Sequence, residues 1–291
     1  MISNINFQDR KVLIRVDYNV PIENDIVIDN YRIKKSLPTI KHCLDNGASL
    51  IIMSHLGRPD GENSNFSLLP VCDELENLLD MNITFSNDCV SDKALLKSSQ
   101  LEPGQIHFLE NLRFYNEEVN NDFNFSQKLS FHGDIYINDA FGTAHRSHAS
   151  NVGVTKFFNE KSYGYLMEKE LHYLKDLIQN PYRPLTVIMG GAKIKGKIEL
   201  IENFIEIADN IIIGGALSLP FLKSKNFDIH SPLIDDESIL NAENLLKYAE
   251  EKNKKLILPC DFVTANSLDD DQNIDIKLLN EIDSTSQCFD I

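Results

Sequence analysis

Cysteine is scarce in this 291-residue chain: there are five, Cys43, Cys72, Cys89, Cys260 and Cys288, never spaced C-x-x-C. Their odd number and scatter argue against a disulfide framework or a zinc site and predict buried free thiols. Long apolar runs are lacking too. None approaches the ~18 residues of a membrane-spanning helix, and the start MISNINFQDRK has no apolar secretory core, so a cytoplasmic protein is expected. Positive charge is the third shortage. Lys and Arg number 28 against 44 acidic residues, a net charge of −16. That disfavours nucleic acid and anionic membranes as partners, since both need a cationic face. Any anion site must be local. The acidic clusters at 235–237 and 269–271 read as solvated loops or helix starts.

The arginines are unevenly placed. Arg10, Arg15, Arg32, Arg58, Arg113 and Arg146 precede a single later one, Arg183. Arginine offers a planar fork of donors that matches carboxylate and phosphate, whereas lysine is a hydrated point charge.

Apolar runs of strand length, KVLIRVDYN, ASLIIMSHL, QIHFLENLRF, DIYINDAFG, LTVIMGGAK, NIIIGGAL and KLILPCDFV, alternate with segments of helical periodicity. The pattern predicts an α/β architecture with largely parallel sheets. Between the first two runs, Ile33, Leu37, Ile40 and Leu44 share a helical face, with Asp29 or Asn30 as N-cap and Gly47 as stop. A later stretch repeats Met167, Leu171, Leu174 and Ile178 and stops at Pro181. It falls where one set of strands gives way to another. The expected organisation is two α/β domains, at 1–160 and 183–291, joined by a helix at 161–182. No internal repeat or low-complexity linker interrupts it.

Open parallel sheets bind ligands outside the carboxyl ends of their strands. Here those ends carry Asp17 and Asn19, then His55 and Arg58, then Asn111 and Arg113, then Asn138 and Asp139 followed by FGTAHRSH with Arg146. Arg32 opens the first helix, beside N–H groups that also suit an anion. Arginines converging on one sheet edge repel unless an anion sits among them, so an anion site is expected there. The spacing His145-x-x-His148 lacks a third nearby ligand, and no metal is expected on it.

The second half carries GGAKIKGKIEL, in which Gly190, Gly191, Lys193, Gly196 and Lys197 precede a helix periodic in Ile198, Ile201 and Ile205. Glycines admit phosphate close to the backbone, and a helix start supplies N–H donors. Gly191 to Lys197 reads G-x-x-x-x-G-K, but Ile198 replaces the Ser or Thr of a P-loop. No G-x-G-x-x-G follows any strand, so the dinucleotide fingerprint is also missing. A glycine-lysine phosphate cradle of another type remains, with Gly214 and Gly215 leaving a surface on which a flat base could lie.

Together KVLIRVDYNVPI, SHLGRP, LENLRFYNEE, INDAFGTAHRSHASNVGV, GGAKIKGKIELIENF, ADNIIIGGALSLPFL and LILPCDFVTA resemble the phosphoglycerate kinase family, in its order, from residue 11 to 265. The resemblance implies two Rossmann-like domains joined by a helix and hinge. It implies reversible phosphoryl transfer between ATP and 3-phosphoglycerate, giving 1,3-bisphosphoglycerate and ADP, with Mg²⁺, in a monomer. It places 3-phosphoglycerate on Asp17, Asn19, Arg32, His55, Arg58, Arg113 and Arg146, a basic cradle. It gives the transferring group to Arg32 and Lys193, and nucleotide to Gly191, Ala192, Lys193, Lys197, Gly214 and Gly215. Gly196 stands where the family carries Asp, and Ala216 where it carries a third Gly. The ending QCFDI resembles the start of the family's D-I-G-P stretch, so a truncated second domain is expected. The alternative is an inactive fragment or pseudoenzyme that only binds 3-phosphoglycerate.

Overall fold

The computed structural model describes residues 2–191, 195–229, 234–265, 267, 274–282 and 287–290. Contacts divide the chain into two compact units, Met1–Leu174 and Lys175–Ile291.

In the first unit, β1 (Lys11–Arg15) is followed by a small hairpin, β2 (Ile22–Glu23) with β3 (Ile26–Val27), and then by α1 (Tyr31–Asp45). Next come β4 (Ser49–Met53), α2 (Leu69–Leu79), β5 (Thr84–Ser86), α3 (Asp92–Ser99) and β6 (Ile106–Leu109). The unit continues with α4 (Asn116–Val119), α5 (Phe123–Ser130), β7 (Ile135–Asn138) and β8 (Glu160–Tyr163). Its sheet has the order β5-β6-β4-β1-β7-β8, and every pairing is parallel. Side chains alternate across the strands, as the twofold strand period requires. Val12 and Ile14 join a core with Ile33 and Ile40 of α1 and Val71 and Leu75 of α2. Leu13 joins an opposite core with Phe125 and Leu129 of α5. The chain runs outward from β1 to one edge and returns to β1's other side as β7, so the order reverses between β1 and β7.

The α1 stripe is buried at Ile33 and Ile40, with Leu37 and Leu44 packed against the same core. Asn30 stands at the N-cap position, but its amide donates to Glu74 Oε1 (2.6 Å), and Asp29 Oδ1 instead accepts the Tyr31 N–H (2.8 Å).

A second polar feature lies inside this unit. His132 Nε2 sits 2.8 Å from the Cys89 carbonyl, which can only accept, so Nε2 carries the proton and Nδ1 accepts from Ser98 (2.6 Å). Ser98 has no further proton, so it accepts from His107 Nδ1–H (2.7 Å), and His107 Nε2 accepts from Ser86 (2.8 Å). Every hydrogen in this buried chain has one allowed place.

The connecting helix, α6 (Tyr165–Gln179), contains the division between the units. Of its predicted stripe only Met167 is buried; Leu171, Leu174 and Ile178 are exposed, and Leu177 packs against the second unit's core. The expected packing face is therefore used only at its start.

The second unit has two sheets. β9 (Thr186–Met189), β10 (Asn210–Ile213) and β11 (Lys255–Ile257) form a parallel sheet ordered β11-β10-β9. α7 (Ile198–Ile207), α8 (Leu219–Ser224) and α9 (Asp236–Glu251) supply Ile201, Ile205, Phe221, Ala242 and Leu245 to its core. The opposite face carries Ile188, Ile212 and Ile257 in one cross-strand row, with Ile188 76% exposed. β12 (Asp261–Ala265) pairs antiparallel with β13 (Asp275–Leu278) and β14 (Gln287–Asp290). KLILPCDFV, expected as one strand, is thus split. Pro259 follows β11 and has no N–H to continue a ladder. Asp235, in the first acidic cluster, accepts the Ser238 N–H (2.7 Å) as the α9 N-cap; the cluster at 269–271 lies outside the described residues. Cys43, Cys72 and Cys89 are buried free thiols, Cys260 is exposed and Cys288 half-buried. Among the described residues no helix is long and apolar enough to cross a membrane.

Candidate active site

The reversal between β1 and β7 opens a crevice at their carboxyl ends, where open α/β sheets bind ligands. A cleft of about 490 Å³ occupies it, with Asp17, Arg32, Asp139 and Gly142 in its walls. Arg32 Nη1 donates to Asp17 Oδ2 (2.7 Å). A methyl group on Gly142 would lie 2.5 Å from that same oxygen, so the β7 loop approaches the end of β1 only through glycine.

The neighbouring strand ends are tied by one peptide. Gly57, at φ +61°, donates its N–H to Asn19 Oδ1 (2.8 Å), and its carbonyl accepts from Arg113 Nη1. The loop behind it is held by buried Asn111. Its Oδ1 accepts from Leu56 (3.1 Å) and Arg113 (3.0 Å), while Nδ2 donates to the carbonyls of Leu56 (2.8 Å) and Phe66 (2.9 Å). Residues from the ends of β1, β4 and β6 are thereby fixed together.

His55 departs from its expected part in a basic cradle. Its ring is buried, and Nδ1 accepts from Arg15 Nη2 (3.2 Å), leaving Nε2–H as its donor. Burial, then the charges of Arg15, Arg146 and Arg32, hold its pKa down to about 2. A neutral donor is what such a neighbourhood allows. Asp17 Oδ1 lies 3.9 Å from the same Nδ1, so the Arg32–Asp17 pair borders this ring. Arg58 is exposed and has no hydrogen-bond or ion-pair partner among the described residues, whereas Arg146 is half-buried, with His145 Nε2 3.4 Å from its Nε.

Arg15 itself escaped the strand-end reading because it lies inside β1. It is fully buried, donating from Nε to Ser150 Oγ (2.9 Å) and from Nη1 to the Val16 carbonyl. Ser150 in turn donates its hydroxyl (2.6 Å) and its N–H (2.8 Å) to buried Glu118. Burial raises the Glu118 pKa, while Arg15 and Ser150 oppose the rise. The signal in the sequence was a charge at a core-facing strand position, beside Leu13 in the twofold period.

In the second unit β9 and β10 end in glycine next to each other. A methyl group on Gly190 would meet the Gly214 carbonyl at 3.8 Å, and one on Gly191 (φ +137°) would meet Lys197 Nζ at 2.4 Å. Lys197 thus lies against bare backbone at the start of α7, whose N-cap position it occupies with no side-chain cap. Gly215 (φ +59°) has open space beside it. Ammonium, helix start and exposed peptides suit a phosphate group. Lys195 instead pairs with Glu237 (2.8 Å). Ala192 and Lys193 lie outside the described residues. Among the described residues no cluster of three His, Cys, Asp or Glu side chains is placed to hold a metal ion.

A doubly wound first unit with an arginine-bordered cleft at its switch point, and a second unit with glycine-ended parallel strands, define an α/β protein built like those that handle phosphate. The chain belongs to the phosphoglycerate kinase family, whose model matches residues 2–291. It is a kinase by family, and therefore a transferase. The phosphoglycerate kinase of Finegoldia magna is 43% identical over 295 residues, covering 100% of this chain and 74% of the relative. That of Chlorobaculum tepidum is 44% identical over 272 residues, covering 93% and 68%. The solved phosphoglycerate kinase of Coxiella burnetii superposes with a TM-score of 0.84 at 35% identity, covering 99% of this chain and 73% of the other. That of Pyrococcus horikoshii gives 0.79 at 29% identity.

Proposed function

We propose that this chain transfers a phosphoryl group reversibly between ATP and the carboxylate of 3-phosphoglycerate, giving 1,3-bisphosphoglycerate and ADP. The observation that carries the reading is that Arg32 pairs with Asp17 in the wall of the switch-point cleft and Arg15 donates to His55 beside that Asp17, in a chain of net charge −16. Such a concentration of positive charge calls for a compact polyanion.

In this reading Arg32, Arg58, Arg113 and Arg146 take the anionic groups of 3-phosphoglycerate. Asp17, Asn19 and the His55 N–H take its hydroxyl and fix its register. Arg15 stays beneath as the support of His55. Lys197 and the glycine backbone at 191, 214 and 215, with Ala192, hold nucleotide phosphates, while Lys193 and Arg32 neutralise the transferring group. Mg²⁺, when bound, would supply further neutralisation of the phosphates that Lys197 and the glycine backbone hold. Phosphoryl transfer of this kind depends on positioning and charge more than on covalent help, and a carboxylate acceptor is ionised at neutral pH, so no general base is needed. A monomer in the cytoplasm accords with this reading.

Calorimetric titration of 3-phosphoglycerate into the full chain tests it, with the Arg58→Ala, Arg146→Ala double variant as control. Saturable binding that the double variant loses is the expected result. No binding by a chain shown to be folded would overturn the site.

A further inference from the structure

We propose that Glu110 is a positioning residue of the anion cradle: its carboxylate closes the loop 54–68 and thereby holds Arg58 in place for the ligand. The proposal rests on the cradle reading above and adds a residue that works from beneath it. Glu110 follows β6 and is 5% exposed. Two positions after Phe108 in the twofold strand period, it falls on the face whose core includes Val71 and Leu75 of α2. An acidic side chain in such a place needs donors. It has three. Oε1 accepts the N–H groups of Leu68 (2.8 Å) and Asn111 (2.7 Å), and Oε2 accepts the Ser67 hydroxyl (2.7 Å).

Ser67 and Leu68 are the last residues before α2, and the loop that they end begins where β4 stops. Its outgoing leg carries His55, Gly57 and Arg58. Two adjacent side chains tie both legs to one strand end. Asn111 holds Leu56 by its N–H and carbonyl and Phe66 by its carbonyl, while Glu110 holds the next two residues, Ser67 and Leu68. Between these ties the loop doubles back on itself. A methyl group on Gly57 would lie 2.3 Å from the Phe66 ring, so the ring rests on bare Gly57 backbone. The Cys89 thiol donates to the Glu110 carbonyl (2.9 Å), which fixes the backbone of Glu110 as well.

Arg58 depends on this closure. Its own guanidinium is exposed and has no hydrogen-bond or ion-pair partner among the described residues, so its place is set by the backbone of the loop alone. With Glu110 removed, the return leg is left to Asn111, and the cost of ordering the loop falls on the ligand. Binding through Arg58 then weakens although every group that faces the anion is still present. What Glu110 supplies is acceptor geometry rather than charge. A glutamine keeps Oε1 for both N–H groups and turns an amide donor toward the Ser67 oxygen, which accepts the Leu69 N–H (3.2 Å) and has a second lone pair to receive it.

The test is a double-mutant cycle read by calorimetric titration of 3-phosphoglycerate into the full chain. Glu110→Ala and Arg58→Ala are each expected to weaken binding about tenfold, and the two together no more than about twofold beyond Arg58→Ala alone, because Glu110 acts through Arg58. Glu110→Gln should bind within about twofold of the unmodified chain. A loss of order spread over the whole unit would instead weaken binding equally with and without Arg58. Full additivity therefore overturns the proposal, as does unaltered binding by Glu110→Ala, or a Glu110→Gln chain as weak as Glu110→Ala. If Glu110→Ala does not fold, Ser67→Ala removes the Oε2 tie from the loop side. It should weaken binding about threefold when Arg58 is present and leave it unchanged in Arg58→Ala; an equal effect in both backgrounds overturns the proposal. No binding by the folded, unmodified chain overturns the cradle reading itself, and this proposal with it.

Discussion

Arg15 is a guanidinium sealed inside a sheet, with Ser150 relaying it to Glu118. Removing one member leaves the other charge buried without compensation. Arg15→Ala is expected to cost about 3–5 kcal/mol of stability, read from urea unfolding, because of the stranded Glu118 carboxylate. Adding Glu118→Leu should recover part of that loss. The buried histidines give a second expectation. Burial holds His55, His107 and His132 at about 2, 3 and 4, against an ordinary 6.5, with nearby positive charge adding to the fall at His55 and His107 and the Cys89 carbonyl and Asp88 opposing it at His132. The unfolded chain therefore binds more protons than the native one below pH 6.5. Their contribution is fully present above that pH and is lost as pH falls toward their folded values, by up to ~1.4 kcal/mol per pH unit for each group. Urea midpoints should drop steeply from pH 6.5 to 4.5; a flat profile over that window would contradict the tautomers assigned above.

At the scale of elements, the meeting of the β7 loop with the end of β1 is the tightest constraint on the cleft. Gly142→Ala should push Asp17 from its place, break its pairing with Arg32, and weaken 3-phosphoglycerate binding about tenfold, or ~1.4 kcal/mol, as measured by calorimetry. The elements themselves were largely legible in the sequence. Strands β1, β4, β6, β7, β9 and β10 announced themselves as apolar runs, and their polar ends could be placed at the carboxyl edge of the first sheet. What could not be read was burial. The strand period turns Arg15 toward a core only once the sheet's second face is known to be covered. His55 looks like a cation until its buried neighbours are in place. Asp139 looked like one more polar strand end, because its partner, the first turn of α6, lies 28 residues further on. KLILPCDFV, expected as one strand, is divided because Pro259 lies where the chain changes sheet.

Across the molecule the two units differ in how their parallel sheets meet water. Among the described residues the first has cores on both faces, whereas the second has no core over the row of Ile188, Ile212 and Ile257, of which Ile188 and Ile257 are exposed. Parallel sheets are ordinarily covered on both sides, and an exposed apolar row favours self-association. Ile188→Thr should lower binding of a hydrophobic dye and slow light-scattering growth on storage, with unfolding stability changed by no more than about 0.5 kcal/mol, since the side chain is already in water. The order of the first sheet has a consequence for how the chain comes to exist. β1 leaves the ribosome early, yet Val12 finds its register partner Ile135 only after more than a hundred further residues have been made. The crevice between β1 and β7 cannot form before that late pairing closes the loop, so nearly half of the chain is made before the proposed anion has a place to bind. On the proposed reading, competence to bind then arrives with the β1–β7 pairing, while β8 has still to be made and to complete the sheet.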